Sequence, residues 1–467
     1  MMRIFNSLTR RLEAVEPLEG RLVRMYTCGP TVYNVAHLGN FRAYVFEDLL
    51  RRYLKWRGFN VVQAMNLTDV DDKTIRGARE KGVSLYSFTQ PFKDAFFADL
   101  RTLNIEPAEH YPAATDHIPE MIALIGRLLE KGIAYRSDDG SIYFSIARFP
   151  EYGKLAHLDR EGLRSGARVA QDEYEKENAA DFALWKAWSS DDGDVAWDSP
   201  WGRGRPGWHI ECSAMAMKYL GESFDLHTGG VDNMFPHHED EIAQSEAATG
   251  KPFVKYWMHC AHLVVDGKKM SKSLGNFHSL RDVMARGYGG REIRYVLLGA
   301  QYRQSLNFTF AALDAARASL TRLDEFRVRL TESAAASGGG LAALPEWAER
   351  GRQRFTDALD DDLNMPEALA AIFDMAHDGN RAVDAGEPGA GAVLGLLADM
   401  DRVLGVLVAG TPGETVDQSV AALVAQRDEA RKARQWAESD RLRKQLTDMG
   451  WDVKDTPTGT RITRRTP

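Results

Sequence analysis

The spacing of apolar residues changes along the chain, and each change predicts a different kind of element. Segment 21–28 reads as a strand, a loop through His37 follows, the apolar positions of 41–57 recur with the period of a helix, and 60–66 reads as a second strand. That order predicts a parallel α/β sheet binding its ligand at the carboxyl ends of its strands, where Cys28 and Thr68 would both lie. Between 115 and 201 the pattern shifts to a helix, short strands near 141–146 and an irregular stretch containing Gly and Asp, as expected of an insertion between two halves of one sheet. The sheet should resume with His209 and continue through Phe224-Asp225-Leu226-His227, with a helix opening near Pro236. Past Lys272 the chain turns helical. Leu313, Ala316, Leu320, Leu323, Phe326 and Leu330 stand three and four apart and mark one buried stripe, and Leu369, Ile372, Phe373 and Ala376 mark another after the breaker Asn364-Met365-Pro366. The Ala-, Ser- and Gly-rich stretch 333–340 is expected to be a linker, and Thr411-Pro412-Gly413 a boundary before a small basic tail domain. No internal repeat is visible.

A chain of 467 residues is too long for one ordinary domain, so two to four are expected. No apolar run approaches the roughly 18 to 20 residues needed to cross a bilayer. The basic start Met1-Met2-Arg3 lacks an apolar signal core and meets Glu13 and Glu16 at once, so it reads as mature protein entering its first strand. Three cysteines, Cys28, Cys212 and Cys260, argue against a disulfide framework and for a reducing cytoplasm. The net charge of −8 argues against a generally basic nucleic-acid binder, although between Arg427 and Lys444 seven basic residues stand against four acidic ones. A solvated helix face is the plainer reading of such a run taken alone.

Two loops carry the chemistry. In Asp266-Gly267-Lys268-Lys269-Met270-Ser271-Lys272-Ser273-Leu274-Gly275-Asn276, two lysines among small hydroxyl residues suit a polyphosphate, since ammonium groups neutralise phosphoryl oxygens and hydroxyls donate to them. Far upstream, His37-Leu38-Gly39-Asn40 opens a helix, where a glycine admits a nucleotide to the backbone and a histidine can donate to a phosphate oxygen. Together they resemble the HIGH and KMSKS signatures of class I aminoacyl-tRNA synthetases. The first departs from Ile-Gly-His, because Asn40 stands where a second imidazole is usual; its amide can still donate, without a cationic form.

A third constellation is Cys28, Cys212, His237 and Glu241. His237 and Glu241 are four apart, which on a helix puts an imidazole and a carboxylate within reach of one ion. Taken alone, Pro236-His237-His238-Glu239-Asp240-Glu241 also fits a charged first turn complementing the helix dipole, and the two cysteines fit buried packing. The segments Tyr26-Thr27-Cys28-Gly29-Pro30-Thr31-Val32-Tyr33, Pro206-Gly207-Trp208-His209-Ile210-Glu211-Cys212-Ser213 and Gly229-Gly230-Val231-Asp232 resemble cysteinyl-tRNA synthetases, and the likeness runs the whole chain.

The resemblance implies a Rossmann-like parallel-sheet catalytic domain with an insertion, then a helical bundle and a small C-terminal anticodon-binding domain. The expected division is 1–114 and 202–250 for the two catalytic halves, 115–201 for the insertion, 251–312 for the KMSKS-bearing region, 313–410 for the bundle and 411–467 for the tail. It implies one Zn²⁺ on Cys28, Cys212, His237 and Glu241, Mg²⁺ accompanying ATP, and a monomer acting on ATP, L-cysteine and tRNA(Cys). His37, Asn40, Lys269 and Lys272 take the catalytic role, with Gly39, Gly229, Gly230 and Asp232 completing the ATP site. Gly29, Thr31, Thr68 and Trp208 join Cys28 and His237 around the amino acid, Trp208 being equally readable as core. Arg431, Arg434, Arg441 and Arg443 are candidate tRNA phosphate partners. His227 and His238 are expected to orient ligands from behind, and His259, His262 and Cys260 to be structural or surface residues. Two alternatives stay open: an ATP-dependent cysteine ligase acting on a sugar amine, and a catalytically silent zinc protein that binds RNA.

Overall fold

The computed structural model describes residues 1–158, 181–270, 275–336, 343–407, 418–449, 451–456 and 459–464. At its centre is a four-stranded parallel sheet in the spatial order Val254–Cys260, Phe224–Gly230, Leu22–Thr27, Asn60–Met65. The two inner strands come from the two chain halves expected to flank an insertion, and their pairing, Thr27 beside Thr228, makes the point where the sheet's winding reverses. At such a switch point the connections diverge and leave a crevice beyond the strand ends. Both faces of the strands are covered, which explains why Met25, Tyr26 and Thr27 are buried in succession without alternation.

The helix Leu38–Trp56 lies between the sheet and the bundle and is buried nearly all round, including Arg42, Glu47, Asp48, Arg51 and Arg52. Such burial needs partners: Asp48 accepts from Arg52 Nε at 2.7 Å, and Arg51 reaches Glu109 at 2.7 Å. The insertion forms an antiparallel sheet of Ala134–Arg136, Ile142–Phe144, Phe182–Ala187 and Gly204–Pro206, whose last strand falls beyond Trp201. The bundle helices Phe310–Ala336, Glu346–Asp360, Met365–Asp384 and Ala390–Leu404 share one continuous apolar core with the central sheet, and the whole Leu313 to Leu330 stripe is buried in it. By contrast, the tail helices Gln418–Lys432 and Trp436–Asp448 and the hairpin Trp451–Thr456 with Gly459–Arg464 close around their own small core of Val420, Leu446 and Val453. Among the described residues no helix is long and apolar enough to cross a membrane.

Three expectations are corrected. His209 does not resume the sheet. It lies in the helix Trp208–Leu220, whose residues His209 to Ala216 are all buried, so covering on every side has removed the polar face that marks a helix in sequence. The helix expected to open at Pro236 is a kinked turn, Met234–His238, leading into Glu239–Thr249. The linker expected from Ser333 begins later, because the preceding helix continues through Ala336; 337–342 lie outside the described residues, as does the Thr411-Pro412-Gly413 boundary.

Candidate metal centre and nucleotide cleft

Cys28 follows the inner strand Leu22–Thr27 directly, its N–H donating to Thr228 O at 3.2 Å. Gly29 then passes so close to Asn66 that an added Cβ would stand 1.8 Å from the Asn66 carbonyl oxygen, so no side chain fits. Val32 N donates to Thr68 O at 3.0 Å and Thr68 N to Pro30 O at 3.1 Å, which aligns Thr31 with Thr68. Cys212 comes from the first turns of the Trp208–Leu220 helix rather than from a strand end, and His237 and Glu241 from the turn and helix beyond Asp232.

These four side chains converge: one donor atom from each of Cys28, Cys212, His237 and Glu241 lies within 4.8 Å of all the others. Glu239, Asp240 and Glu241, the run that also fitted a solvated first turn, are at most 1% exposed. Glu241 Oε1 is buried without a hydrogen bond among the described residues, yet it stands 3.1 Å from His237 Nε2. Two donor atoms at that spacing can share one ion. The hydrogen bond to Cys212 and burial both push the Cys28 thiol well above its ordinary range. The Cys212 thiol is also raised, burial and Glu241 outweighing the opposing hydrogen bond to Cys28. Burial pulls His237 down to about 3, keeping its imidazole neutral and able to ligate. Two thiols crowded out of water need a cation before both can ionise, so a donor set of two thiols, an imidazole and a carboxylate suits a soft divalent metal such as Zn²⁺.

A second set, Cys28, His227, His238 and Glu241, also converges. In it His227 Nε2 meets Glu241 Oε2 at 3.0 Å, and His238 spans Cys28 Sγ at 3.2 Å and His259 Nε2 at 2.9 Å. His259, tied on to Ser7 Oγ at 2.8 Å, is a buried, hydrogen-bonded histidine that extends this network. Trp208 is 37% exposed and stacks on His237 with ring centroids 4.3 Å apart, so it is not a core residue. Thr68 is buried, its hydroxyl accepting from Asn66 and donating to Glu211 Oε2 at 3.1 Å. Glu211 and His209 were missed in the sequence; each is adjacent to a residue singled out, but helical periodicity gave no sign that they turn inward.

Beside the metal set a cavity of about 470 Å³ is lined by Cys28, Gly29, His37, Gly39, Asn40, Gly230, Asp232 and Lys269, together with Cys260 and His262. Gly229 lies behind it, where a Cβ would stand 2.8 Å from the His238 ring. His37 caps the Leu38–Trp56 helix: its Nδ1 accepts from Asn40 N at 3.3 Å, and Asn40 Oδ1 accepts from His37 N at 3.1 Å. With burial holding its pKa below the ordinary histidine value against the pull of Asp232, His37 is neutral and carries its proton on Nε2. Met270 touches this turn, 3.2 Å from where a Gly39 Cβ would be, and Leu38 N donates to His278 O at 3.0 Å, so the residues flanking 271–274 on both sides meet the helix start. Lys269 is exposed, while Lys272 lies outside the described residues. Cys260 is buried, its thiol raised to about 12 by burial.

In the tail, Arg431 pairs with Asp455, Arg441 with Glu438 at 2.7 Å, and Arg443 donates to Val453 O at 3.2 Å. Arg434 is exposed.

Comparison with known proteins agrees along the whole chain. Residues 14–318 match the class I (C) tRNA synthetase catalytic domain, 354–408 the DALR domain, and 414–462 the cysteinyl-tRNA ligase anticodon binding domain. A cysteine--tRNA ligase of Protochlamydia amoebophila is 51% identical over 470 residues, covering 99% of this chain and 98% of the relative. One from Chlamydia pneumoniae is 51% identical over 447 residues, covering 94% of each. Among solved structures, Mycobacterium tuberculosis methionyl-tRNA synthetase with methionyl-adenylate superposes with a TM-score of 0.61 at 17% identity, over 83% of this chain and 88% of that one, a likeness of fold.

Proposed function

The chain belongs to the cysteinyl-tRNA synthetase family of class I ligases, and from that premise we propose that it activates L-cysteine with ATP and transfers it to tRNA(Cys). The observation that carries this reading is the convergence of Cys28, Cys212, His237 and Glu241 beside the cavity that Cys28 lines together with His37, Asp232 and Lys269.

In the first step the cysteine carboxylate attacks the α-phosphorus of ATP and pyrophosphate leaves. In the second, a hydroxyl of the terminal adenosine of the tRNA attacks the activated carbonyl carbon and AMP leaves. Charge gathers on the phosphoryl oxygens in the first step, so positioned donors and cations do most of the work. His37 donates from Nε2, Asn40 from its amide, and Lys269 with Lys272 neutralises the departing phosphates. Asp232 accepts from the ribose, Gly39 and Gly230 let the nucleotide approach the backbone, and Mg²⁺ travels with ATP. Gly29, Thr31 and Thr68 shape the amino-acid side of the cleft, and Trp208 covers it.

Serine differs from cysteine by one atom, and a shape-matched pocket separates such near-isosteres by only about 1–3 kcal/mol. A bound Zn²⁺ supplies a soft Lewis acid that favours a thiolate over a hydroxyl. Cys28, Cys212, His237 and Glu241 hold it, and Trp208 excludes water beside it. The tail domain reads the anticodon, with Arg431, Arg434, Arg441 and Arg443 as phosphate partners, and the protein acts as a cytoplasmic monomer.

The test is ATP–pyrophosphate exchange with cysteine and with serine, followed by charging of tRNA, on protein whose zinc content has been measured. Zinc near one per chain, exchange with cysteine only, and charging are expected. Exchange without charging would point to a different acceptor, and strong preference for cysteine in zinc-free protein would refute the metal's role.

A further inference from the structure

Behind His237 a chain of polar contacts leads out of the catalytic half and into the insertion. His237 Nδ1 stands 2.9 Å from His209 Nδ1, and His209 Nε2 faces Asp240 Oδ2 at 3.3 Å. The other oxygen of Asp240 accepts a hydrogen bond from the Tyr152 hydroxyl. Tyr152 is 8% exposed. Its segment is clamped to the same helix by Glu239, whose carboxylate accepts from the N–H groups of Gly153, Leu155 and Ala156 at 2.8, 2.9 and 2.9 Å. Two consecutive buried acids next to the ligand Glu241 therefore hold the insertion, and neither is itself a ligand.

One proton arrangement suits both this chain and a metal on His237. The 2.9 Å contact between the two Nδ1 atoms needs one donor and one acceptor, and a proton on His209 Nε2, on the side of Asp240, leaves His209 Nδ1 as the acceptor. His237 must then donate from Nδ1, which frees its Nε2 lone pair, the atom 3.1 Å from Glu241 Oε1, for the metal. We infer that Tyr152 is a positioning residue of the insertion, acting through Asp240 and His209 to hold His237 in its metal-binding tautomer and orientation. The usual device is a single carboxylate or carbonyl behind a ligating histidine. Here a second imidazole is interposed and the carboxylate is anchored by a residue of the insertion, so seating of the insertion and competence of the metal centre are one event.

This inference rests on the metal reading above, and the experiment separates the two. Full-length wild type, Tyr152→Phe, His209→Gln and the double variant are loaded with Co²⁺ for absorption spectra, titrated with Zn²⁺ against a chromogenic chelator, and melted. Tyr152→Phe should weaken Zn²⁺ binding by about 10-fold, the low end for groups behind a ligand, and shift the Co²⁺ bands, with its melting temperature close to wild type. The double variant should bind no more weakly than His209→Gln. Wild-type affinity and spectrum in Tyr152→Phe, or losses that multiply in the double variant, overturn the inference while leaving the metal centre intact. Should Tyr152→Phe melt early, His209→Gln alone decides, since an unshifted Co²⁺ spectrum there overturns the chain. A wild type that takes up neither metal overturns the metal reading and this inference with it.

Discussion

Asp48 offers the most quantitative test of how the catalytic sheet is fixed to the bundle. It lies mid-helix in Leu38–Trp56 with its side chain fully buried, and its Oδ2 accepts from Arg52 Nε at 2.7 Å and Arg294 Nη2 at 2.5 Å while Oδ1 accepts from Glu106 N at 2.8 Å. Arg294, equally buried, also donates to Leu404 O at 2.7 Å and Leu103 O at 3.0 Å. Arg52 reaches Asn104 O at 2.6 Å and Arg402 O at 3.3 Å. One carboxylate thus ties together the helix that begins at His37, the turn after Thr102, the helix Gly290–Leu298 and the end of the bundle. Asp48→Asn keeps the volume but leaves Arg294 without this counter-charge, and the new NH₂ must face either an arginine or the Glu106 N–H, donor against donor. Breaking a buried pair by removing one partner costs about 3–5 kcal/mol. Arg52 keeps a second carboxylate, Glu106, at 3.7 Å, so the low end applies, about 3 kcal/mol, or roughly a 100-fold rise in local opening. Hydrogen exchange of the two helices measures that opening directly, and a cycle with Arg294→Met should show the double variant losing less than the sum by at least about 1.5 kcal/mol. A single-variant cost below about 1 kcal/mol, or strict additivity, would refute the reasoning.

Gly29→Ala should cost the metal site before it costs the fold, because the Cβ meets the Asn66 carbonyl and the shift is taken up at Cys28; zinc analysis showing full occupancy would contradict this. His37 is held below the ordinary histidine pKa by burial, so it stays neutral as pH falls through about 6.5, whereas the unfolded chain takes up the proton there and stability declines below that pH. Exchange rates of wild type should therefore show no inflection near 6.5 that His37→Gln removes. Lys272→Ala should depress the activation rate far more than cysteine affinity, and equal loss in both would count against charge stabilisation by that loop. Arg434→Glu should weaken tRNA binding and lower the salt slope by about 1 or more, whereas Arg441→Ala should matter less because Glu438 already neutralises it; reversal of that order in a filter-binding titration would exclude Arg434 as a phosphate partner.

Much of the architecture was legible because local pattern and burial agreed. The stripe from Leu313 to Leu330 faces one core, so its three-and-four spacing survives in sequence and in structure. Strand, helix, strand at the start predicted a parallel sheet, and the chain has one. Legibility failed where burial was complete. Around Cys212 the helix has no exposed face, so its period vanished and it read as strand, and Glu239 and Asp240 look like a solvated turn until the insertion closes over them.

The motifs themselves needed no structure: Cys28, His37, Cys212, His237, Glu241 and Lys269 were named from residue type and resemblance. What only the tertiary structure decided is how the other polar groups are spent. Whether His209 faces water or His237, whether Glu211 is a surface charge or the acceptor of the Thr68 hydroxyl, and that Tyr152 of the insertion reaches Asp240 depend on contacts between residues far apart in the chain. Sequence spacing encodes neighbours along one helix or strand. A buried polar group finds its partner wherever the fold brings one, because left unpaired it costs more than the chain can spare.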